Sequence, residues 1–318
     1  VSGDIDLYTE CNRKSGIFFL ESAGDYGFVN SDIVNVGNLM LVSRYDAKRV
    51  TYTPSSTINP PYGLYLTGGA DENLIIKGVR FDLTNSSAIR PFTSQMNSVN
   101  IDNCEIFIPD ATKYFVIINN RQLLGPKDFT LVDSEITTTA STGLTRLIEF
   151  LYAHDNLGSW ENIIVRNNIF YSRTNTQGFS LLYNNENAAE FVPEGGQGTV
   201  ITLENNTFYN MMPHNNNFAG LYAYSLGGLT IRKNIFYNTN PAAGARRFAY
   251  ITDKNSSFSP VIEDNIASSG LAMNWFNPNG YCPVAGTVPI ASEIFSTADP
   301  DNVVFSPVNN YSDYGAQR

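Results

Sequence analysis

The sequence predicts an all-β fold, a single right-handed parallel β-helix with an irregular C-terminal cap. One short phrase, apolar-x-apolar-x-x-polar-x-apolar, recurs seven times along the 318 residues. Through Phe236, the closing apolar residues of successive copies lie 25 to 38 residues apart, which is too irregular for leucine-rich or helical repeats. A fixed phrase with variable spacing indicates coils that share a constant core and differ in their loops.

Each copy of the phrase predicts a strand followed by a bend. The first and third residues are apolar and share one face of a strand, and the Asn, Asp, Gly or Lys residues that follow tolerate a turn. Asn168, Asn206, Asn234 and Asn265 align within this bend, which predicts a ladder of stacked amides. The copies occupy residues 74–81, 99–106, 129–136, 163–170, 201–208 and 229–236, with the loosest beginning at 261.

Second apolar runs between the phrases predict a further strand in each coil. These runs are 114–118, 147–152, 179–183, 221–224 and 248–251, and the segments 16–20, 39–42, 50–53 and 64–66 predict the first coils. After Trp275 the phrase stops and five prolines follow, which indicates an irregular cover over the open end. We therefore divide the chain into a β-helix at 1–275, less regular over 1–70, and a C-terminal coil or cap at 276–318 that packs on the helix.

Composition excludes several classes of partner. Only 16% of the residues are charged and the net charge is −10, which argues against nucleic acid and anionic membranes as partners. No apolar stretch is long enough to span a membrane. Cys11, Cys104 and Cys282 are widely spaced and form no CxxC pair, so neither a zinc site nor a disulfide framework is indicated, and Cys104 is expected to be a buried free thiol.

The stacked I-x-x-N-x-F phrases, across roughly residues 64–270, resemble the pectate-lyase-like superfamily of right-handed β-helices. The early segment 37–43 (GNLMLVS), and later Asp299-Pro300, 305–307 (FSP) and 314–316 (YGA), look like the first and closing coils of secreted β-helix proteins. The arrangement is similar to surface proteins of gut Bacteroidetes, often lipoproteins, that are linked to glycan utilisation. The resemblance implies an exported protein, at the cell surface, anchored in the outer membrane or extracellular, with its leader absent from this chain. It also implies a polysaccharide or oligosaccharide partner.

The resemblance leaves the reaction open, because this fold serves many functions. Three functions remain: a polysaccharide-binding or polysaccharide-processing protein of a glycan-utilisation system, a pectate-type polysaccharide lyase acting by β-elimination, and a trimeric adhesin or tailspike-like fibre. The first is favoured because the Gly-His-Gly and Arg-Ile-Lys segments of a polygalacturonase-type hydrolase are absent and no other complete active-site signature is visible. A monomer is the expected state, and whether the protein is an enzyme stays open.

A lyase would need an Arg or Lys base to remove the proton α to a uronate carboxyl group, and often Ca²⁺ bound by carboxylates. The candidate bases are Arg166, Arg232 and Lys254, and the candidate Ca²⁺ ligands are Asp253 and Asp264. None of these residues forms a diagnostic spacing. Ca²⁺ is expected only if the protein is a lyase, and the sequence indicates no other cofactor.

Two of these candidate bases have a structural interpretation. Arg166, Glu204, Arg232 and Glu263 occupy the same outward position in consecutive copies of the phrase. Neighbouring strands would then present charges of alternating sign at a spacing of about 4.8 Å, which predicts a surface ladder of ion pairs. This interpretation is favoured over a catalytic role.

Aromatic residues near the second apolar runs form the candidate carbohydrate-binding site. Sugar rings stack on Tyr and Trp side chains, and planar polar groups bind their hydroxyls. Long loops at 153–162, 184–198 and 210–220 are expected to wall a groove beside them. The candidate residues are Tyr152, Trp160, Tyr183, Tyr222, Tyr224 and Tyr250.

Overall fold

A computed structural model confirms the predicted fold class. The described part of the chain winds through three long parallel sheets as a right-handed parallel β-helix. The described residues are 5–6, 15–20, 25–27, 34–35, 38–43, 57–59, 64–67, 71–82, 89–91, 96–108, 114–117, 126–139, 145–150, 161–174, 179–184, 199–212, 217–222, 226–240, 247–252, 260–269, 271, 275–276 and 288–317.

Successive coils pass in the same order through three sheets, which we name B, A and C. In the described residues, sheet B contains Gly16–Leu20, Leu39–Ser43, Asn73–Lys77, Ser98–Asp102, Asp128–Val132, Asn162–Arg166, Thr199–Glu204, Leu226–Arg232 and Val261–Glu263. Sheet A contains Ile5–Asp6, Asp25–Gly27, Thr57–Asn59, Arg80–Asp82, Glu105–Ile108, Glu135–Thr138, Ile169–Tyr171, Thr207–Tyr209, Ile235–Tyr237, Ile266–Ser268 and Ile290–Ala291. Sheet C contains Val34–Asn35, Leu64–Thr67, Ile89–Pro91, Tyr114–Ile117, Thr145–Phe150, Phe179–Asn184, Asn217–Tyr222, Arg247–Thr252 and Trp275–Phe276.

The predicted strands and bends correspond to these elements, except that the predicted run 50–53 lies outside the described residues. Each phrase supplies a strand of sheet B, a two-residue bend and the start of a strand of sheet A. The first residue of the bend has a positive φ, a conformation that glycine, asparagine and aspartate tolerate best. The residues at this position, with their φ angles, are Gly78 (66°), Asn103 (50°), Asp133 (51°), Asn167 (58°), Asn205 (52°), Lys233 (55°) and Asp264 (52°).

The second bend residue forms the predicted amide ladder. The Nδ2 group of Asn168 donates to Oδ1 of Asn206 (3.0 Å), Asn206 donates likewise to Asn234 (2.9 Å), and Asn234 to Asn265 (2.9 Å). Each amide oxygen also accepts the backbone N–H of the preceding rung, and all four side chains are buried. Ser134 extends the ladder, because its N–H donates to Oδ1 of Asn168 (2.9 Å).

Cys104 ends this ladder and is the predicted buried free thiol. Its N–H donates to the Ser134 hydroxyl oxygen (3.0 Å), and its Sγ contacts the carbonyl oxygen of Asp102 (3.3 Å). Complete burial is the largest cause that raises the pKa of the Cys104 thiol, to about 12. The thiol is therefore neutral across the physiological range.

Stacked apolar side chains fill the interior of the helix. The closing residues of the phrases occupy one row of sheet A, and the rings of Phe170, Phe208 and Phe236 stack with centroid distances of 4.6 and 5.2 Å. All three rings are fully buried. Together with the amide ladder, this stack fixes the coils rung by rung and makes the sheets a rigid scaffold.

The C-terminal segment, residues 294–317, lies along the outer face of sheet A. It contains an antiparallel pair of strands, Phe295–Asp299 and Val304–Pro307, and a 3-10 helix at Asn309–Tyr311. Its Phe305 ring lies 4.9 Å from the ring of Tyr209, and Phe295 lies 5.3 Å from Tyr237, as measured between centroids. These contacts cover the outer face of sheet A in the late coils with a second apolar cluster.

The end of the segment binds two successive bends, at Lys233 and Asn205, and the start of the strand Thr207–Tyr209. The N–H of Gly315 donates to the carbonyl oxygen of Lys233 (2.8 Å), and the N–H of Ala316 donates to Oγ1 of Thr207 (3.0 Å). Asn205 donates from Nδ2 to the carbonyl oxygen of Asp313 (2.9 Å). The C-terminal segment therefore crosses the strands along the side of the helix. The proposed domain boundary near residue 275 stays a prediction.

Candidate functional site

The outer face of sheet B contains two of the candidate bases. Strand register pairs Arg166 with Glu204, Glu204 with Arg232, and Arg232 with Glu263. Nη2 of Arg232 lies 2.8 Å from Oε1 of Glu204. The structure therefore confirms the predicted row of alternating charge on consecutive strands.

Val132 interrupts the charges next to Arg166, and beyond it Nζ of Lys77 lies 3.1 Å from Oδ2 of Asp102 at the same position on earlier strands. The Arg232 side chain is 44% exposed. Its partner Glu204 is 18% exposed, and such partly exposed surface pairs contribute about 0–1 kcal/mol each. The guanidinium group of an arginine has N–H donors and no acceptor. One that already donates to a neighbouring carboxylate is therefore suited to a structural ladder of ion pairs.

Only one of the two candidate metal ligands, Asp264, lies in the described residues. Asp264 is the exposed first residue of the last described bend, and Asp253 and the third candidate base, Lys254, lie outside the described residues. Burial, followed by the charge of Asp264, raises the pKa of the Tyr314 hydroxyl. Among the described side chains, no group of three or more His, Cys, Asp or Glu residues could hold a metal ion.

Three of the six candidate aromatic residues belong to strands of sheet C. Tyr183 lies in Phe179–Asn184, Tyr222 in Asn217–Tyr222, and Tyr250 in Arg247–Thr252. These strands are consecutive neighbours in the sheet. The other three candidates lie outside the described residues; they are Tyr152, Trp160 and Tyr224.

Strand register brings two of these tyrosines into one row. Tyr183 pairs with Gly220, and Gly220 pairs with Tyr250. The same row continues to Glu149 on one side and to Phe276 on the other. We name these five positions the sheet C row: in order along the helix, they are occupied by Glu, Tyr, Gly, Tyr and Phe.

Tyr222 occupies a different position from the one that its sequence context indicates. Residues 179–183 (FSLLY) and 218–222 (FAGLY) share the pattern F-x-x-L-Y, which would pair Tyr183 with Tyr222. The observed register differs from this alignment by two residues, and Tyr222 pairs with Thr252. Sequence reasoning missed Gly220 and Phe276 as members of the row. Aligning residues 179–183 with 218–222 by their shared pattern would also have missed Gly220.

Spacing within the sheet C row follows from the fold. Adjacent parallel strands lie about 4.8 Å apart, so Tyr183 and Tyr250 occupy positions separated by about 10 Å along the helix axis. Leu147 and Ile148 on one strand and Leu181 and Leu182 on the next are fully buried, which anchors both strands in the core. The register thus places these positions at regular intervals along the helix.

Comparison with protein-family models gives no match, and comparison with curated proteins gives none either. Among the described residues, no helix combines the length and hydropathy that crossing a membrane would require. What the described residues define is the fold, a right-handed parallel β-helix.

Proposed function

We propose that this protein is an exported polysaccharide-binding β-helix of a glycan-utilisation system, and that it binds the sugar chain along sheet C. The single observation that supports this proposal most strongly is the sheet C row, in which Tyr183 and Tyr250 occupy equivalent positions on either side of Gly220. Two aromatic residues at equivalent positions two strands apart suit a ligand that is itself a chain of repeating rings.

The other two sheets offer less for such a ligand. In the late coils the C-terminal segment packs on the outer face of sheet A, including Tyr209 and Tyr237. The outer face of sheet B has the charge row, in which Arg232 already pairs with Glu204. Sheet C is therefore the face to which we assign binding.

The rigid scaffold supports binding by preorganisation. The amide ladder and the phenylalanine stack fix the strand spacing before any ligand arrives. A ligand that matches this spacing would not have to order the protein, and more of the interaction energy would appear as affinity.

The charge row on sheet B favours a protein that binds polysaccharide without cleaving it. Under the alternative, a pectate-type lyase of the resembled superfamily, Arg166 or Arg232 would act as a base. Both belong instead to a row of charges of alternating sign. We therefore assign them a structural role and use Arg232 as a control residue.

Affinity gel electrophoresis over plant and host polysaccharides, including pectins, tests the proposal. The same samples are read by ultraviolet absorbance for unsaturated uronate, with and without Ca²⁺. We expect retardation by at least one polysaccharide, no rise in absorbance, and at least about tenfold weaker binding when Tyr183 and Tyr250 are both replaced by Ala, a loss of about 1.4 kcal/mol or more.

Arg232→Ala is the matched control, because it alters the outer face of sheet B and leaves sheet C unchanged. It should bind as the unchanged protein does. A rise in absorbance that Arg232→Ala abolishes would instead establish the lyase. Absence of retardation by every polysaccharide would rule out the proposed function.

A further inference from the structure

We infer that the C-terminal segment, residues 294–317, is a strap that detaches from sheet A and loses its structure as one unit while the helix beneath it stays folded. Detachment would uncover Tyr171, Tyr209 and Tyr237, which strand register places in one row on consecutive strands of sheet A. The described contacts of the segment are with sheet A and the bends that precede it, so this inference goes beyond the binding that we assign to sheet C and does not rest on it.

The C-terminal segment and the helix have separate apolar clusters. The structure describes every residue of the segment, and none of them belongs to the cluster that fills the interior of the helix. The segment packs instead on side chains of the outer face of sheet A, such as Tyr209 and Ile235, in two smaller clusters. Detachment therefore leaves the interior cluster intact. A part of a protein with its own cluster can open well below the free energy of global unfolding.

Few side chains anchor the C-terminal segment. Only three of its residues are buried, namely Ile294, Phe305 and Gly315. An ion pair between Arg173 and Asp301 contributes little, because the two side chains are 61% and 73% exposed. By contrast, the amide ladder and the phenylalanine stack of the helix are buried along their whole length. The segment is therefore held far more weakly than the strands that it covers.

Backbone strain in the hairpin turn of the segment also favours detachment. Val303 has a φ angle of 54°, in the left-handed region that is unfavourable for a β-branched residue. Such a conformation persists only where the surrounding structure holds it, and Val303 packs against the cluster that contains Tyr209 and Phe305. Once the segment leaves sheet A, the turn can relax, and this relaxation offsets part of the contacts that are lost.

Contacts within the segment join its hairpin to its end. Tyr311 and Tyr314 pack against the cluster that contains Ile294, and the N–H of Val308 donates to the carbonyl oxygen of Ile294 (2.8 Å). The hairpin has only two strands, and a two-stranded hairpin is at best marginally stable by itself in water. We therefore expect the hairpin and the end of the segment to lose their structure together when the segment leaves sheet A.

Hydrogen–deuterium exchange of the full chain, with mass spectrometry of its fragments, tests the inference. We expect one protection factor, within about threefold, for the hairpin at 295–307 and the end of the segment at 313–317, because a single opening exposes both. The amides of Asn206 and Asn234 donate to side-chain oxygens of the next rung and are buried. Their protection should be at least about a hundredfold higher, because they exchange only when the helix itself opens.

Two variants in different parts of the segment test whether it opens as one unit. Gly315→Ala places a Cβ 2.5 Å from Oγ1 of Thr207, and Phe305→Ala removes the ring that lies 4.9 Å from the ring of Tyr209. Each variant should lower the protection of the hairpin and of the end of the segment together, by at least about tenfold, and leave the ladder amides unchanged. Asn310→Ala, an exposed change within the segment, is the matched control and should alter neither.

Three results would overturn the inference. The first is a loss of protection at 313–317 alone in Gly315→Ala, which would mean that the segment opens in parts. The second is equal protection of the segment and the ladder, which would mean that the segment opens only with the helix. The third is unchanged hydroxyl-radical oxidation of Tyr171 and Tyr209 in both variants, because detachment must uncover them. Circular dichroism checks the folding of each variant, and if one fails to fold, the other variant and the unchanged protein still decide. None of these results depends on sugar binding, which the affinity gels test separately.

Discussion

Replacing Asn206 by alanine removes four side-chain hydrogen bonds from the middle of the amide ladder. The Nδ2 group of Asn206 donates to the carbonyl oxygen of Val165 and to Oδ1 of Asn234, each at 2.9 Å. Its Oδ1 accepts the backbone N–H and the Nδ2 group of Asn168, at 3.1 and 3.0 Å. All of these groups are buried, so water does not readily replace the lost partners.

The expected cost follows from the groups that remain without a partner. Alanine at residue 206 leaves two buried donors of Asn168 without an acceptor, and each such donor costs about 1–3 kcal/mol. Oδ1 of Asn234 is less affected, because it still accepts the backbone N–H of residue 206. We therefore expect Asn206→Ala to lower the free energy of unfolding by about 3–5 kcal/mol.

Serine offers a matched comparison, because Ser134 occupies the same ladder position two coils earlier and accepts the N–H of Cys104 (3.0 Å). Asn206→Ser should therefore cost about half as much as Asn206→Ala. Asn310→Ala, on the exposed 3-10 helix, is the surface control. Urea unfolding followed by circular dichroism measures all three. If Asn206→Ala lowers the free energy of unfolding no more than Asn310→Ala does, the amide ladder does not stabilise the fold as we propose.

Three further predictions concern the described surfaces and the core. Gly315→Ala should loosen the C-terminal segment and increase proteolysis there, because φ is +71° and an added Cβ would lie 2.5 Å from Oγ1 of Thr207. In a variant with Cys11 and Cys282 replaced by Ser, Cys104 should react with Ellman's reagent at pH 8 only after denaturation, because its pKa of about 12 keeps the buried thiol protonated in the native protein. Rapid reaction of this variant in its native state would contradict the placement of Cys104. Exchanging Glu204 for Gln should change the free energy of unfolding by less than about 1 kcal/mol, and high salt should reduce the effect, as thermal unfolding would show.

The regular part of the fold could be predicted because each coil repeats the same physical requirements. The bend must tolerate a positive φ, the next position must satisfy buried backbone groups, and the closing position must fill the core. Asn167, Asn168 and Phe170 meet these three requirements in one coil, and Asn205, Asn206 and Phe208 meet them in the next. Repetition makes such a pattern visible without a structure.

Two features could not be predicted from the sequence with the same success. The register of sheet C does not follow the residue pattern, because the shared F-x-x-L-Y pattern does not reveal the two-residue difference between Tyr183 and Tyr222. The docking of the C-terminal segment along sheet A depends on contacts distant in sequence, such as Gly315 with Lys233. Neither feature has a periodic signal.

Hydroxyl-radical footprinting, read by mass spectrometry with and without the polysaccharide selected by the affinity gels, tests the central claim most directly. We predict that the ligand lowers oxidation of Tyr183, Tyr222 and Tyr250 on sheet C and leaves unchanged the low oxidation of Tyr171, which is buried beneath the C-terminal segment. Protection of the sheet B strands, with no change at the sheet C tyrosines, would contradict the account.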